Sequence, residues 1–166
     1  QAAVTGGAAA FKVNCVQCHG SGAAGGKGYP NLNDDDWLWG GDLNAIHTTL
    51  LHGIRQPGDQ QTRTSQMPGF EGALDAGQVS ALADHVLSFS GKAKTSASAA
   101  QLFSDNCAVC HGTAGQGNRT VGAPRLNDAI WLYGSRKEEI ERQILKPRMG
   151  VMPAWSGRLD PVTIKM

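Results

Sequence analysis

The 166-residue sequence has no apolar run long enough to cross a membrane and no signal-peptide-like start. No membrane segment is therefore expected within the chain. Aromatic residues make up only 6% and hydrophobic residues 40%, thin for two independent cores. This length allows one domain or two small ones, and small domains usually need a staple. No stretch alternates apolar and polar residues as a half-buried strand does, so an all-α fold is expected. The glycine-rich segments lack a P-loop lysine, which argues against a phosphate cradle. No acid–base pair or nucleophile constellation stands out. The Asp34-Asp35-Asp36 run reads as a helix start or solvated turn, not as a metal site. Net charge is only +1, and no nucleic-acid partner is expected.

Cysteine is scarce, and its placement is informative. All four fall in Cys15-Val16-Gln17-Cys18-His19 and Cys107-Ala108-Val109-Cys110-His111, two copies of C-x-x-C-H. This pattern reads as covalent c-type haem attachment. On a helix, positions i, i+3 and i+4 share a face, so two thiols and an imidazole can meet one macrocycle. A zinc ribbon would place its second C-x-x-C roughly 15–20 residues after the first; here Cys18 and Cys107 lie 89 positions apart. A thioredoxin-like motif would need a βαβ pattern nearby. Two disulfides would also satisfy the even count. The expected cofactors are two covalently bound haems, held by Cys15, Cys18, Cys107 and Cys110, with His19 and His111 on the irons.

The chain is an internal repeat. Phe11-Lys12-Val13-Asn14 and Phe103-Ser104-Asp105-Asn106 precede the two motifs. Asn31-Leu32-Asn33-Asp34 then matches Arg125-Leu126-Asn127-Asp128, and Trp37-Leu38-Trp39-Gly40 matches Trp131-Leu132-Tyr133-Gly134. Met67-Pro68-Gly69-Phe70 matches Met152-Pro153-Ala154-Trp155. Each copy reads as helix, loop, helix, loop, helix. Leu43, Ile46, Leu50 and Leu51, and in the second copy Ile140, Ile144 and Leu145, have helical spacing. Ser98 with Gln101 and Ser135 with Glu138 are candidate capping boxes, and Gly53 is a candidate stop. The last helix of copy one is expected to start at Asp75 or Ala76 and to bury Val79, Leu82, Ala83, Val86 and Leu87. The expected boundaries are domain 1 over 1–91, a linker over 92–98, and domain 2 over 99–166 with an incomplete C-terminal helix.

A six-coordinate haem needs a second strong ligand. Met67 and Met152 stand at equivalent positions in Met-Pro-x-aromatic, and a thioether favours ferrous iron and raises its potential. The expected pairs stay within each repeat: His19 with Met67, His111 with Met152. Met149 is the rival in copy two. His47, His52 and His85 are spare histidines that read as satisfied or solvent-facing; Glu141 and Lys146 stand where His47 and His52 would be. Residues 1–91 carry four basic and eight acidic side chains, net −4, and residues 92–166 eleven and six, net +5. Such asymmetry suggests an acidic first domain, with its Asp34-Asp35-Asp36 run, receiving a basic donor.

These residues resemble the class I cytochrome c fold, each repeat almost end to end. The resemblance implies an all-α chain of two tandem class I cytochrome c domains, the second truncated in its last helix. It also implies that Pro30 and Pro124 offer their carbonyls to His19 and His111, fixing the imidazoles. The tandem arrangement is similar to the periplasmic part of the diheme subunit of cbb3-type cytochrome c oxidases. The segments that carry this are 11–20, 29–40, 66–70 and 151–156, above all the Asn-Asp-x-x-Trp-Leu-x-Gly run. That family implies electron transfer from a donor cytochrome c toward the catalytic subunit of a membrane oxidase, with no catalysis by this chain. It places the protein on the periplasmic side of the bacterial inner membrane, with an anchor upstream. The alternatives are a free periplasmic diheme shuttle and a haem enzyme with one five-coordinate iron.

Overall fold

In the computed structural model, which describes residues 1–166, eight helices and no strands account for the regular structure. They are α1 (Ala2–Asn14), α2 (Val16–His19), α3 (Leu43–His52), α4 (Ala76–Ser88), α5 (Ala97–Asn106), α6 (Ala108–His111), α7 (Lys137–Leu145) and α8 (Pro161–Lys165). None is long and apolar enough to cross a membrane. The pattern long helix, short helix, middle helix, last helix occurs twice, as the sequence repeat requires.

Local chemistry sets the helix ends. Asp42 accepts from the Asn44 and Ala45 N–H groups to start α3, and Gly53 ends it with φ +67°. Asp75 and Gln78 form a full capping box at α4: the Gln78 N–H donates to Asp75 at 2.8 Å and the Asp75 N–H to Gln78 at 2.9 Å. Two expected caps are displaced. α5 starts from Ser96, whose hydroxyl accepts from the Ala99 N–H, so the helix takes in Ala97 and Ser98 and shortens the linker. α7 starts from Arg136, one residue past Ser135, because the Glu139 carboxylate accepts from both the main-chain N–H and the guanidinium of Arg136. Leu43 is also not a core residue. It is the first residue of α3 and is 86% exposed.

The chain forms two compact units that cut across the repeat boundaries. The first consists of residues 1–66 and 149–166, the second of residues 67–148. Each unit thus takes the first two-thirds of one repeat and the last third of the other. In the first unit α8 packs on α1 and α3; in the second, α4 packs on α5 and α7. The expected division at 91–98 follows the sequence repeat, not the packing. The reason is local: the segment after each middle helix departs to bond with the other repeat's middle helix. Arginines mark where departure begins. Arg63 and Arg148, each four residues before a methionine of the repeat, stay with their own repeat. Arg63 lies 5.1 Å over the Trp39 ring and Arg148 5.1 Å over Tyr133, contacts worth about 0.5–1 kcal/mol when exposed.

The division removes the charge asymmetry. The first unit holds six basic and six acidic side chains, net zero; the second holds nine and eight, net +1. The −4 and +5 of the linear halves do not describe two folded bodies. Net charge therefore gives no reason for a basic donor to prefer either unit.

The second unit has the larger core. The stripe Val79, Leu82, Ala83, Val86 and Leu87 on α4 is buried as the spacing predicts, against Phe103 of α5 and Ile140 and Ile144 of α7. Burying a residue such as Leu82 contributes about 1.5–3 kcal/mol. Lys137 of α7 pairs with Asp84 of α4 at 2.7 Å. In the first unit, by contrast, α1, α2 and α3 have no fully buried residue.

His85 sits within the second core, 8% exposed, its ring 4.9 Å from both Phe89 and Phe103. Its Nδ1 meets the Thr95 hydroxyl at 2.7 Å. It is a satisfied core histidine. Burial pushes its pKa below the usual value because the charged ring would lose its water. The unfolded chain thus binds this proton more tightly than the folded one, and stability rises with pH across the window. Denaturant titrations should show stability constant above about pH 6.5 and falling as pH drops below it. His85→Gln should remove this part of the pH dependence; an unchanged slope would show that another group carries it.

Candidate functional site

Each C-x-x-C-H sits where a long helix breaks into a short one. Cys15 ends α1 and starts α2, and its carbonyl accepts from the Cys18 N–H at 3.2 Å and the His19 N–H at 2.9 Å. Cys107 does the same between α5 and α6, with the matching bonds to Cys110 at 3.2 Å and His111 at 2.9 Å. The turn puts both cysteines and the histidine on one side. All four cysteines are free, so the disulfide alternative is not what the fold uses. Burial, and then the neighbouring Cys110, pushes the Cys107 thiol up to about 11; Cys15 is raised for the same reasons, with Cys18 as its neighbour. Neither is an activated thiolate nucleophile.

The two imidazoles are held alike. His19 Nδ1 lies 3.1 Å from the Pro30 carbonyl and His111 Nδ1 3.0 Å from the Pro124 carbonyl. A carbonyl can only accept, so Nδ1 carries the proton and Nε2 keeps its lone pair for a metal. Burial lowers the His111 pKa while the Pro124 carbonyl opposes it, favouring the neutral, ligating ring. A main-chain clamp backs each contact: Gly25 N–H donates to the His19 carbonyl and Gly117 N–H to that of His111, both at 2.8 Å.

The Asn-Asp-x-x-Trp run now has a physical account. Asp34 accepts from the Asp36 N–H at 3.0 Å and Asp128 from the Ile130 N–H at 2.9 Å, an Asx-turn in each copy. Asn127 Nδ2 donates to the Ala114 carbonyl at 3.1 Å and Asn33 to that of Gly22, tying the run back to the loop after the histidine. The Asp34-Asp35-Asp36 run is thus a turn.

The methionines are placed by the other repeat. Trp155 N–H, three residues after Met152, donates to the Leu50 carbonyl of α3 at 2.8 Å. Phe70 N–H, three residues after Met67, donates to the Ile144 carbonyl of α7 at 3.1 Å. Ile54 and Met152 exchange two further bonds, both 3.0 Å. Met152 therefore belongs to the unit of His19 and Met67 to that of His111. The expected pairs, His19 with Met67 and His111 with Met152, thus fall in different units. The main-chain anchoring falls on Met152, and Met149 has no counterpart of it.

Two regions match the family model described as cytochrome c oxidase, cbb3-type, subunit III: residues 2–86 and 94–166. The chain belongs to this family. Among relatives, the cbb3-type cytochrome c oxidase subunit CcoP of Cereibacter sphaeroides is 54% identical over 99% of this chain and 59% of its own length. The subunit FixPc of Rhizobium leguminosarum and the subunit FixP of Rhizobium etli are each 52% identical over 98% of this chain and 58% of their own. The chain thus spans a little under three-fifths of the relatives it matches. Membership of this cbb3 family implies covalently bound haem of the c type, on an all-α fold of two tandem class I cytochrome c repeats.

The residues fit such a group. Trp131 Nε1, the indole of the second Trp-Leu-x-Gly run, is buried with no hydrogen-bond partner in the protein. A buried donor without an acceptor costs about 1–3 kcal/mol, and a porphyrin carboxylate is the acceptor such a donor suits. The sequence named this tryptophan only as a repeat anchor. Of the spare histidines, His52 pairs with Asp59 at 3.1 Å and His85 with Thr95, so neither is free to ligate as placed. His47 is half-buried on α3.

Gly53 was legible only as a helix stop. A Cβ there would strike the Met152 carbonyl oxygen and approach the Ala154 nitrogen to 2.8 Å, so glycine is what lets the methionine segment close on α3. Gly58 has a similar φ, +83°, but open space around it. Gly58→Ala should cost about 1 kcal/mol for the backbone alone. Gly53→Ala should cost about 1–3 kcal/mol more, read by denaturation. Equal costs would mean that Met152 is not held against α3 in solution.

Proposed function

We propose that this chain is a diheme electron-transfer module of a cbb3-type terminal oxidase. It accepts single electrons from a donor cytochrome c and passes them toward the catalytic subunit, on the periplasmic side of the bacterial inner membrane. It performs no catalysis of its own. The observation that carries this reading is that each unit contains one C-x-x-C-H, one proline-held imidazole and one Met-Pro segment tied by a main-chain bond to a middle helix, through Trp155 to Leu50 in one unit and through Phe70 to Ile144 in the other. A methionine in each unit favours two six-coordinate irons over an enzyme with an open one.

The residue roles follow from chemistry. Cys15 and Cys18 hold one haem as thioethers, and Cys107 and Cys110 the other. His19 and His111 present Nε2, while Pro30 and Pro124 keep Nδ1 protonated and make each ring a better donor. Met152 supplies the sixth ligand in the unit of His19, and Met67 in that of His111. Bound haem supplies a one-electron iron couple, whose potential a thioether ligand raises. Trp131 Nε1, buried without a partner in the protein, would be available to donate to a carboxylate of the group bound in the second unit. With two protein ligands each, bound irons would need no change of ligand on electron uptake, which suits transfer without bond chemistry.

Acid–acetone extraction should leave the colour with the protein, and the intact mass should exceed the sequence mass by two haems. Extractable haem, or the gain of one, would end the two-haem reading.

The exchanged ligand pairs are tested in single-haem variants. With Cys15→Ala and Cys18→Ala, the remaining haem should keep its far-red methionine-to-iron band. Met67→Leu should then abolish that band, and Met152→Leu should leave it. With Cys107→Ala and Cys110→Ala the roles reverse. Met67→His should lower the potential of the haem on Cys107 and Cys110 by on the order of 0.1–0.2 V, within the roughly 0.8 V that axial ligands span. The opposite assignment in both backgrounds would restore pairing within each repeat.

A further inference from the structure

The repeats differ most between the middle helix and the methionine. Leu51 and Met67 are 16 positions apart, while their counterparts Leu145 and Met152 are 7 apart. The extra nine residues form a loop with its own scaffold. Arg55 N–H donates to the Arg63 carbonyl at 2.8 Å, and Gln56 N–H to the Thr62 hydroxyl at 3.0 Å. Arg55, half-buried at the start of this loop, has φ +54°, a conformation that a long L side chain rarely adopts. Such backbone persists where its surroundings over-determine it, often for a functional reason.

That conformation aims the guanidinium at two carbonyls. Nε donates to the Gly150 carbonyl at 2.7 Å and Nη1 to the Ser65 carbonyl at 3.1 Å. Gly150 stands two residues before Met152, and Ser65 two residues before Met67. One cation therefore holds the same position of both methionine segments. Only a planar guanidinium has donors fixed in two directions; a lysine ammonium is a point charge that serves one carbonyl well. Nothing in the family assignment or in the repeat itself points to this residue, since the second copy has no such loop.

We propose that Arg55 is a positioning residue for both axial methionines: its guanidinium clasps the main chain two residues before Met67 and before Met152, so that one side chain sets the sixth ligand of both irons. The inference rests on the reading of Met67 and Met152 as those ligands. It gives the inserted loop a role and predicts that the two haems respond together to a change at one residue outside both C-x-x-C-H motifs.

The test uses the diheme protein and an exogenous ligand, imidazole, which competes with methionine for ferric iron. Arg55→Lys keeps the charge and loses the fork. Arg55→Gly loses the side chain but suits the backbone, so it removes the clasp without straining the loop. Lys94→Gln, in the linker, controls for loss of a surface charge. Haem content and helical circular dichroism check folding.

In both Arg55 variants, imidazole affinity should rise at least about tenfold at both irons, the equivalent of about 1.4 kcal/mol and the scale of one hydrogen bond to a charged group. The far-red band should weaken by similar fractions at both. Lys94→Gln should change neither. A response at one iron only, or at neither, overturns the clasp. Met67→Leu and Met152→Leu supply the separate check, since each should open one iron to imidazole. If they do not, the ligand assignment fails and the clasp with it; if they do and Arg55 has no effect, only the clasp fails.

Discussion

Two main-chain hydrogen bonds, from Trp155 to Leu50 and from Phe70 to Ile144, determine how this chain is put together. They join the methionine segment of each repeat to the middle helix of the other. Packing follows: α8 lies on α1 and α3, and α4 lies on α5 and α7. Because the exchange is reciprocal, each unit is built from segments of both halves of the chain. The same C-x-x-C-H, proline and methionine chemistry would work without the exchange.

The units differ in what holds them. The second buries a stripe of α4 against two helices, with His85, Phe89 and Phe103 as an aromatic cluster at one end. The first relies more on hydrogen bonds: the Ile54–Met152 pair, Arg55 on Gly150 and Ser65, and Arg63 on the Thr49 hydroxyl and the Ala45 carbonyl. Its helices α1, α2 and α3 bury no residue fully, the condition a flat apolar macrocycle is suited to complete.

Charge illustrates how far linear reading can mislead. Halving the sequence gives a dipole of −4 and +5, while the folded units carry zero and +1. Exchanging the last thirds moves the acidic Glu71, Asp75 and Asp84 into the second unit and the basic Arg158 and Lys165 into the first. Any steering of a donor must come from local placement of charges rather than from the balance of a domain.

The sequence by itself determined the family and the two motifs that mark it. The C-x-x-C-H copies stood out because each sets two thiols and an imidazole within about one helical turn, the spacing on which the proposed haem attachment rests. Met67 and Met152 stood out as candidates because the repeat doubled a context that would be ambiguous once. The α4 core stripe was legible because burial on a helix writes a 3.6-residue period. Tertiary structure decided which methionine shares a unit with which histidine. Duplicated segments are interchangeable to any local rule: Met67 and Met152 share the Met-Pro-x-aromatic context, and no propensity distinguishes a neighbour in the chain from its copy in the other repeat. Trp131 as an orphaned donor and Arg55 as a two-carbonyl clasp were invisible for a related reason. A hydrogen-bond partner 95 residues away, as Gly150 is from Arg55, leaves no mark on the local pattern.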